Sequence, residues 1–303
     1  MNKSTLIIGI AVVILAVALG IFAFGAARNA LPFGKAGAVP PAVARLLEQG
    51  DDAGALKELS AALEKDPASP RLEAGFFALA SFYENKGDLL KAKDSYQKII
   101  EKFPASANIA RTQEAIENIN VKMLFSPTVA NDVVVYEVQK GDSLARIAKR
   151  FNTTIDLIVK ANNLKATQIN VGKKLKITKA KFSIFVDKSQ NILTLKGDGN
   201  IVKTYRVSTG QNNSTPVGTF KIINKIIDPP WYTTGAVIPA GSPKNILGTR
   251  WMGISAQSYG IHGTTDPQSI GQSVTAGCVR MKNADVEELY SIVPEGTEVV
   301  IVD

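Results

Sequence analysis

The sequence predicts a multidomain α+β protein: an N-terminal membrane helix, an α-helical repeat region, a βααβ module and a β-rich C-terminal domain. Three observations carry this. An uncharged apolar run, "LIIGIAVVILAVALGIFAFGAA" at residues 6–27, is long enough to cross a hydrocarbon core of ~30 Å. A helical stretch that starts with Gly-Asp recurs 37 residues further on. Past residue 180, helical spacing gives way to short alternating runs between turn sequences.

At 303 residues the chain has room for two or three domains, each with its own core. Its 45% hydrophobic and 20% charged residues exclude wholesale disorder. The net charge of +8 is unevenly placed, with −2 over residues 38–125 and +7 over residues 126–303. A basic C-terminal half suits anionic wall polymers or lipid headgroups. No nucleic-acid partner is expected, because the basic residues form no arginine stripe with interleaved aromatics.

The apolar run is longer than the ~7–15 residues of a signal-peptide core, which favours an uncleaved anchor. A cleaved signal is the alternative, since "FGAARNA" offers small residues to a peptidase. Lys3 before the run and Arg28 and Lys35 after it give no clear orientation. Residues 1–37 are therefore read as a membrane anchor or signal segment with its linker.

Residues 38–128 form the helical region. "GDDAGALKELSAALEKDPAS" aligns with "GDLLKAKDSYQKIIEKFPAS", sharing the initial Gly-Asp, Ala55 with Ala92, and a closing Glu-Lys-x-Pro-Ala-Ser. This looks like tetratricopeptide repeats, which recur at about 34 residues, and implies a possible protein partner. A plain helical spacer is the competing reading.

Residues 133–179 read strand, helix, helix, strand. Leu144, Ile147, Ala148 and Phe151 share one helical face, with Asp142 expected to cap its start. Thr153 and Asp156 resemble a second helix start. "YEVQKGDSLARIAKRF", "LIVKANNL" and "INVGKKLKI" closely resemble the LysM domain. That resemblance implies binding to N-acetylglucosamine-containing glycan strands in a groove near Gly141, Asp142, Ser143, Asn162 and Leu164. A turn role for Gly141 and a capping role for Asp142 are the alternatives.

In residues 180–303, "FSIFVD", "ILTLKG", "KTYRVSTG" and "TFKIINKI" alternate with turn sequences, as strands do. "NADVEELYSIV" reads as one helix with Asn283 as its expected cap, and "EVVIVD" as a final strand. The only cysteine, Cys278, lies sixteen residues after the only histidine, His262. A lone thiol cannot make an internal disulfide. At its ordinary pKa of ~8.5 it needs a base or cation beside it to be a nucleophile. Too few Cys and His residues remain for a zinc site, so no metal and no cofactor are expected.

"IHGTTDPQSIGQSVTAGCVRMKNADVEELYSIV", with "STPVGTFKI", "IPAGSPKNILGTRWMGI" and "GTEVVIV", resembles the L,D-transpeptidase catalytic domain. The family pattern is His-Gly, a spacer, then Ser-x-Gly-Cys-(Val/Ile/Leu)-Arg. Here it reads His262-Gly263 and Thr275-Ala276-Gly277-Cys278-Val279-Arg280. Thr275 stands in the usual Ser position, and Ala276 replaces a histidine found in many members.

The resemblance implies a cysteine acyltransferase of peptidoglycan stem peptides. Cys278 would attack the carbonyl of the third, diamino-acid residue and expel D-alanine. His262 would hold the proton as imidazolium beside thiolate. A second stem's amine would then resolve the thioester into a 3→3 cross-link. The amides of Gly277 and Cys278 would form the oxyanion hole. Arg280, Gly263, Thr275, Ser273, Tyr259 and Trp251 are the substrate-binding candidates. Arg280 either clamps a stem carboxylate or braces the loop that aims Cys278. Ser273 and Thr275 either satisfy a turn or orient the imidazole. Tyr232, Trp251, Met252 and Tyr259 are equally candidates for core. The Pro/Gly-rich "DPPWYTTGAVIPAGSPKN" has the length of an active-site lid. An L,D-carboxypeptidase and a non-catalytic wall-binding adaptor are the alternative functions. The expected location is the bacterial cell envelope, with the catalytic domain outside the cytoplasm.

Overall fold

A computed structural model describes residues 38–129 and 133–303, in two compact units, one ending at Ile119 and one running from Asn120 to Asp303. The apolar run at residues 6–27, and with it the expected membrane helix, lies outside the described residues. Among the described residues no helix is long and apolar enough to cross a membrane.

The first unit is helical: α1 Pro41–Glu48, α2 Asp52–Lys65, α3 Pro70–Lys86, α4 Leu89–Lys102 and the start of α5 Ile109–Leu124. The 37-residue echo has a structural cause. Gly50 and Gly87 both adopt positive φ, +79° and +77°, where a side chain would be strained. Asp51 and Asp88 then cap α2 and α4 by accepting from the Gly54 and Lys91 amides at 2.8 and 3.2 Å. The repeated Gly-Asp is thus a repeated left-handed turn and N-cap.

The second unit holds both remaining domains. A strand, two helices and a strand follow in the expected order: β1 Val133–Glu137, α6 Leu144–Arg150, α7 Ile155–Ala161 and β2 Lys174–Thr178. β1 and β2 pair antiparallel, and Leu144, Ile147, Ala148, Ile158, Leu175 and Ile177 close a small core. Two expected caps are corrected. Ser143, not Asp142, caps α6 by accepting from the Arg146 amide. Thr154, not Thr153, caps α7 by accepting from the Leu157 amide. Asp142 is already engaged elsewhere, by the Gln139 amide at 2.8 Å and the Tyr136 hydroxyl at 2.7 Å.

This module is fastened to the rest of its unit by polar contacts. Thr154 Oγ1 donates to the Ser291 carbonyl, and Lys160 Nζ to Ser291 Oγ at 2.8 Å. Lys176 is 6% exposed and donates to the carbonyls of Met123 and Ser126 at 2.6 and 2.7 Å. Burial pushes its pKa down to about 8.

The β-rich domain is built on an eight-stranded sheet, ordered β13-β11-β10-β7-β14-β3-β4-β5. Its members are β3 Phe182–Asp187, β4 Ile192–Gly197, β5 Asn200–Arg206, β7 Gly218–Ile227, β10 Arg250–Ile254, β11 Gly260–His262, β13 Val279–Arg280 and β14 Glu298–Val302. Two short pairs flank it: β6 Thr209–Gly210 with β12 Ser273–Thr275, and β8 Trp231–Thr233 with β9 Ala236–Ile238. Helix α8, Asn283–Ile292, buries Val286, Leu289 and Ile292 against Met252, Ile254, Ile261 and Val279. Asn283 does not cap α8. It is the first helical residue, and Lys282 occupies the cap position without a side-chain bond.

Candidate active site

Strand register assembles the site. Trp251 on β10 pairs with His262 on β11, and His262 pairs with Arg280 on β13. Side chains of paired residues share a sheet face, so these three form one row. Their neighbours Met252, Ile261 and Val279 pair in the same way and point into the core. Across β13 from His262, Ser208 exchanges backbone hydrogen bonds with Arg280 at 2.8 and 2.9 Å. Cys278 immediately precedes β13, and the two-residue alternation carries it to the face of Arg280 and His262.

The cysteine loop is held by its own backbone and by one hydroxyl. Thr275 Oγ1 donates to the Cys278 carbonyl at 2.7 Å and accepts from the Gly277 amide at 3.1 Å. The Gly277 amide, expected to serve an oxyanion hole, is thus engaged by Thr275 in this structure. Gly277 sits at φ +130°, where a Cβ would lie 2.4 Å from Tyr259 Cε1. Tyr259 is thus the roof over Gly277 and packs against the domain core. The half-buried thiol lies 3.9 Å from the Ser258 carbonyl, and the Gly260 amide hydrogen-bonds to it.

His262 is 2% exposed. Its Nδ1 lies 2.7 Å from the Gly263 carbonyl, and the Leu247 carbonyl also hydrogen-bonds to the ring. Trp251 stacks on it, with centroids 6.0 Å apart and planes at 19°. Gly260 makes this possible, since a Cβ there would meet the indole at 2.7 Å. Thr275 and Ser273 do not orient the imidazole. Ser273 Oγ lies 3.3 Å from Thr209 Oγ1, in the cleft beside β6 and β12.

Burial, with Arg280 adding repulsion, pulls the His262 pKa down to about 4, against the two carbonyl bonds that favour its proton. Burial pushes the Cys278 thiol up, opposed by the Gly260 amide and Arg280. Both shifts favour the uncharged forms, thiol and imidazole, over the expected imidazolium–thiolate pair. No carboxylate lies among the causes of either shift, and the backbone hydrogen bonds, with Arg280 for the thiol, offset the burial cost only in part.

Arg280 makes one bracing contact. Its Nη1 donates to Ser269 Oγ at 3.0 Å, while its buried Nε makes no hydrogen bond. Sequence reasoning missed Asn283, whose Oδ1 accepts from the amides of Thr264 at 2.9 Å and Thr249 at 3.3 Å. That oxygen also lies 2.2 Å from where a Cβ at Gly263 would be. Gly263 is therefore a packing position beside the histidine. The signal was an Asn at a helix start, which reads equally as a cap.

The stretch read as a lid contains the β8–β9 hairpin, stapled by the buried Asn245. Its Nδ2 donates to the carbonyls of Pro229, Pro239 and Ile238 at 2.8, 3.3 and 3.4 Å. Tyr232, weighed as core, is 73% exposed on that hairpin, whereas Met252 is fully buried.

Residues 181–301 match the L,D-transpeptidase catalytic domain. The chain is 37% identical to a putative L,D-transpeptidase of Bacillus licheniformis over 177 residues, 56% of this chain and 99% of that protein. It is 36% identical to a Bacillus subtilis counterpart over 176 residues, again 56% of this chain and 99% of that one. The chain belongs to the L,D-transpeptidase family. A solved catalytic domain of an E. faecium L,D-transpeptidase overlaps 40% of this chain and 96% of its own, at 23% identity and TM-score 0.34. Residues 136–178 match the LysM domain and residues 74–106 the tetratricopeptide repeat. This transpeptidase therefore carries a LysM domain and a helical repeat ahead of its catalytic domain.

Within its LysM domain, the residues expected to line a glycan groove are occupied with the fold. Asn162 Nδ2 donates to the carbonyls of Ile158 and Lys176, both at 2.8 Å, and its Oδ1 accepts from the Lys176 amide at 2.7 Å. Leu164 packs on the module's core. Gly141 makes a left-handed turn at φ +87°, and its carbonyl accepts from Arg146 Nη1. Asn162 and Leu164, expected as glycan contacts, thus have structural roles in the module.

Proposed function

We propose that this L,D-transpeptidase works through a thioester on Cys278. Neutral His262 accepts the thiol proton as sulfur attacks the carbonyl of the third stem residue, a diamino acid. It returns that proton to the departing D-alanine amine. The side-chain amine of a second stem then attacks the thioester, loses its proton to His262 and regenerates the thiol, leaving a 3→3 cross-link. The observation that carries this reading is the single strand row Trp251–His262–Arg280 with Cys278 one step before it.

General-base attack needs a neutral imidazole, and the burial of His262 favours that form. The Cys278 amide, which makes no hydrogen bond among the described residues, is the remaining oxyanion donor of the loop. Arg280 Nε offers a further buried donor. The LysM domain holds the enzyme on glycan strands, and the helical repeat offers a protein-docking face. The run at residues 6–27 anchors the chain to the membrane, with the catalytic domain in the envelope outside the cytoplasm. Domain limits of 38–128, 133–179 and 180–303 belong to the same proposal.

The test is intact-mass analysis of the full chain mixed with a disaccharide tetrapeptide. An adduct of the stem minus D-alanine on Cys278 is expected, followed by a cross-linked dimer. Tripeptide without dimer would make the protein a carboxypeptidase. No adduct on a folded chain with a titratable thiol would leave the wall-binding adaptor.

A further inference from the structure

We propose that the cleft beside β6 and β12 is a subsite for a carboxylate of the acyl-donor peptide, held by Lys188, whose place the Asp303 side chain fills when no peptide is bound. The proposal rests on the acyl-transfer reading for the identity of the peptide. The site itself stands on its own geometry.

The cleft has a volume of about 250 Å³ and is lined by Lys188, Thr209, Gly210, Asn213, Ser273 and Asp303 among others. Lys188 is 6% exposed, and its ammonium donates to the Thr215 carbonyl at 2.9 Å and to Asp303 Oδ1 at 2.8 Å. An ammonium has three donors, so one remains for a ligand. The Asn213 side chain adds a second hydrogen bond to the same Asp303 carboxylate.

The pair is lopsided. Lys188 is buried, whereas the Asp303 side chain is 68% exposed. An exposed carboxylate gives up little when it returns to water, but a buried ammonium left without an anion is costly. Exchange of one carboxylate for another is therefore the event this arrangement favours. Ser273 Oγ supplies a further hydroxyl on the cleft wall, whereas Thr209 Oγ1, 3.3 Å from it, donates to Asn191 Oδ1 at 2.8 Å.

The position of the cleft assigns it to the donor. His262 and Ser208 flank Arg280 on opposite sides. The imidazole has to face the leaving amine and then the incoming amine, which approach the same carbonyl. The acyl portion consequently extends the other way, over Ser208–Gly210 and into the cleft. Gly210 carries the contact, since a Cβ there would lie 2.9 Å from Gly277 Cα. Its amide also donates to Thr215 Oγ1 at 2.7 Å, next to the carbonyl that Lys188 holds.

The test measures binding without chemistry. The full chain carrying Cys278→Ala is titrated calorimetrically with a donor tetrapeptide, and with the same peptide amidated at the carboxylates upstream of the reacting carbonyl. Amidation should weaken binding by about 10- to 100-fold, the range of a charge-assisted hydrogen bond. Added Lys188→Met should impose a similar loss and make amidation inconsequential. Added Asp303→Asn should tighten the carboxylate peptide several-fold by removing its competitor. An equal amidation penalty with and without Lys188, or weaker binding in Asp303→Asn, overturns the subsite. If Lys188→Met does not fold, the amidation and Asp303→Asn arms still decide. Normal carboxylate-dependent binding with no Cys278 adduct in the wild type would count against acyl transfer and not against the subsite.

Discussion

The Cys278 loop and the Gly141–Leu164 turns of the LysM domain are both dense in recognisable motif residues, yet their atoms are used differently. In the LysM domain, Asp142 accepts two hydrogen bonds, Ser143 caps a helix and Asn162 makes three bonds, two of which tie the end of α7 to β2. In the catalytic domain, the thiol has only a 3.9 Å carbonyl contact and one amide beside it, and Arg280 Nε has no partner. The first set of residues builds a fold, and the second leaves reactive groups uncommitted. Motif residues become candidates for chemistry when their polar atoms are left over after the fold is satisfied.

The largest expected contrast follows directly. His262→Ala should slow acylation of Cys278 by roughly 10²- to 10⁴-fold, the usual loss for a general acid or base, and Cys278→Ala should give no adduct. Asn162→Ala, which removes three structural bonds, should destabilise the LysM domain by about 1–3 kcal/mol while acylation stays within a few-fold. Mass-spectrometric acylation rates beside hydrogen exchange of α7 would separate the two. A comparable loss of acylation in both variants would erase the distinction.

A second contrast concerns pH. The folded pKa of His262, about 4, lies below the unfolded value of 6.5. Between those limits the unfolded chain binds the extra proton, so the stability this group confers is complete above pH 6.5 and is lost as pH falls toward 4. Its size is on the order of 3 kcal/mol. Chemical denaturation of wild type and His262→Gln at pH 7 and pH 4 should show the wild type losing more on acidification. If the neutral imidazole is the base, acylation should persist at pH 5.5. An acid limb centred near 6.5 would mean that His262 keeps its ordinary pKa in the folded chain.

These contrasts also mark what was legible in the sequence. Domain order and the helical face of Leu144, Ile147 and Ala148 follow from local periodicity and from motif resemblance. The caps slipped by one residue, because Asp142 and Thr153 can cap on paper and only their other contacts decide. The lowered His262 pKa and the raised Cys278 pKa were not legible, since their first cause is burial, which tertiary packing sets. Asn283 was hidden for a similar reason: its acceptors' partners, Thr249 and Thr264, lie 34 and 19 residues away. Lys188 and Asp303 meet only because β14 pairs parallel with β3.

Two glycines sharpen the comparison at smaller scale. Gly277→Ala puts a Cβ 2.4 Å from Tyr259 at φ +130°, combining strain with overlap, and should cost about 1–3 kcal/mol together with at least a tenfold loss of acylation. Gly141→Ala places its Cβ near only Arg146 Nη1, at 3.7 Å, so it should cost about 1 kcal/mol from the left-handed turn alone. Thermal unfolding with parallel activity measurements checks both.

The smallest effect is the most diagnostic for the LysM turns. Ser143 Oγ accepts from the Arg146 amide at 3.3 Å, and removing such a cap costs typically ~1 kcal/mol. Ser143→Ala should therefore lower exchange protection of the α6 amides by about fivefold. If Ser143 serves only the helix, the amount of full-length protein that sediments with insoluble peptidoglycan should not change at equal folded concentration. The hydroxyl hydrogen is nevertheless a donor that the cap does not use, since the oxygen acts there as acceptor. A drop in sedimentation with unchanged α6 protection would mean that this hydrogen is given to the glycan. The LysM turn would then resemble the cysteine loop, with one atom holding the fold and another kept for the ligand.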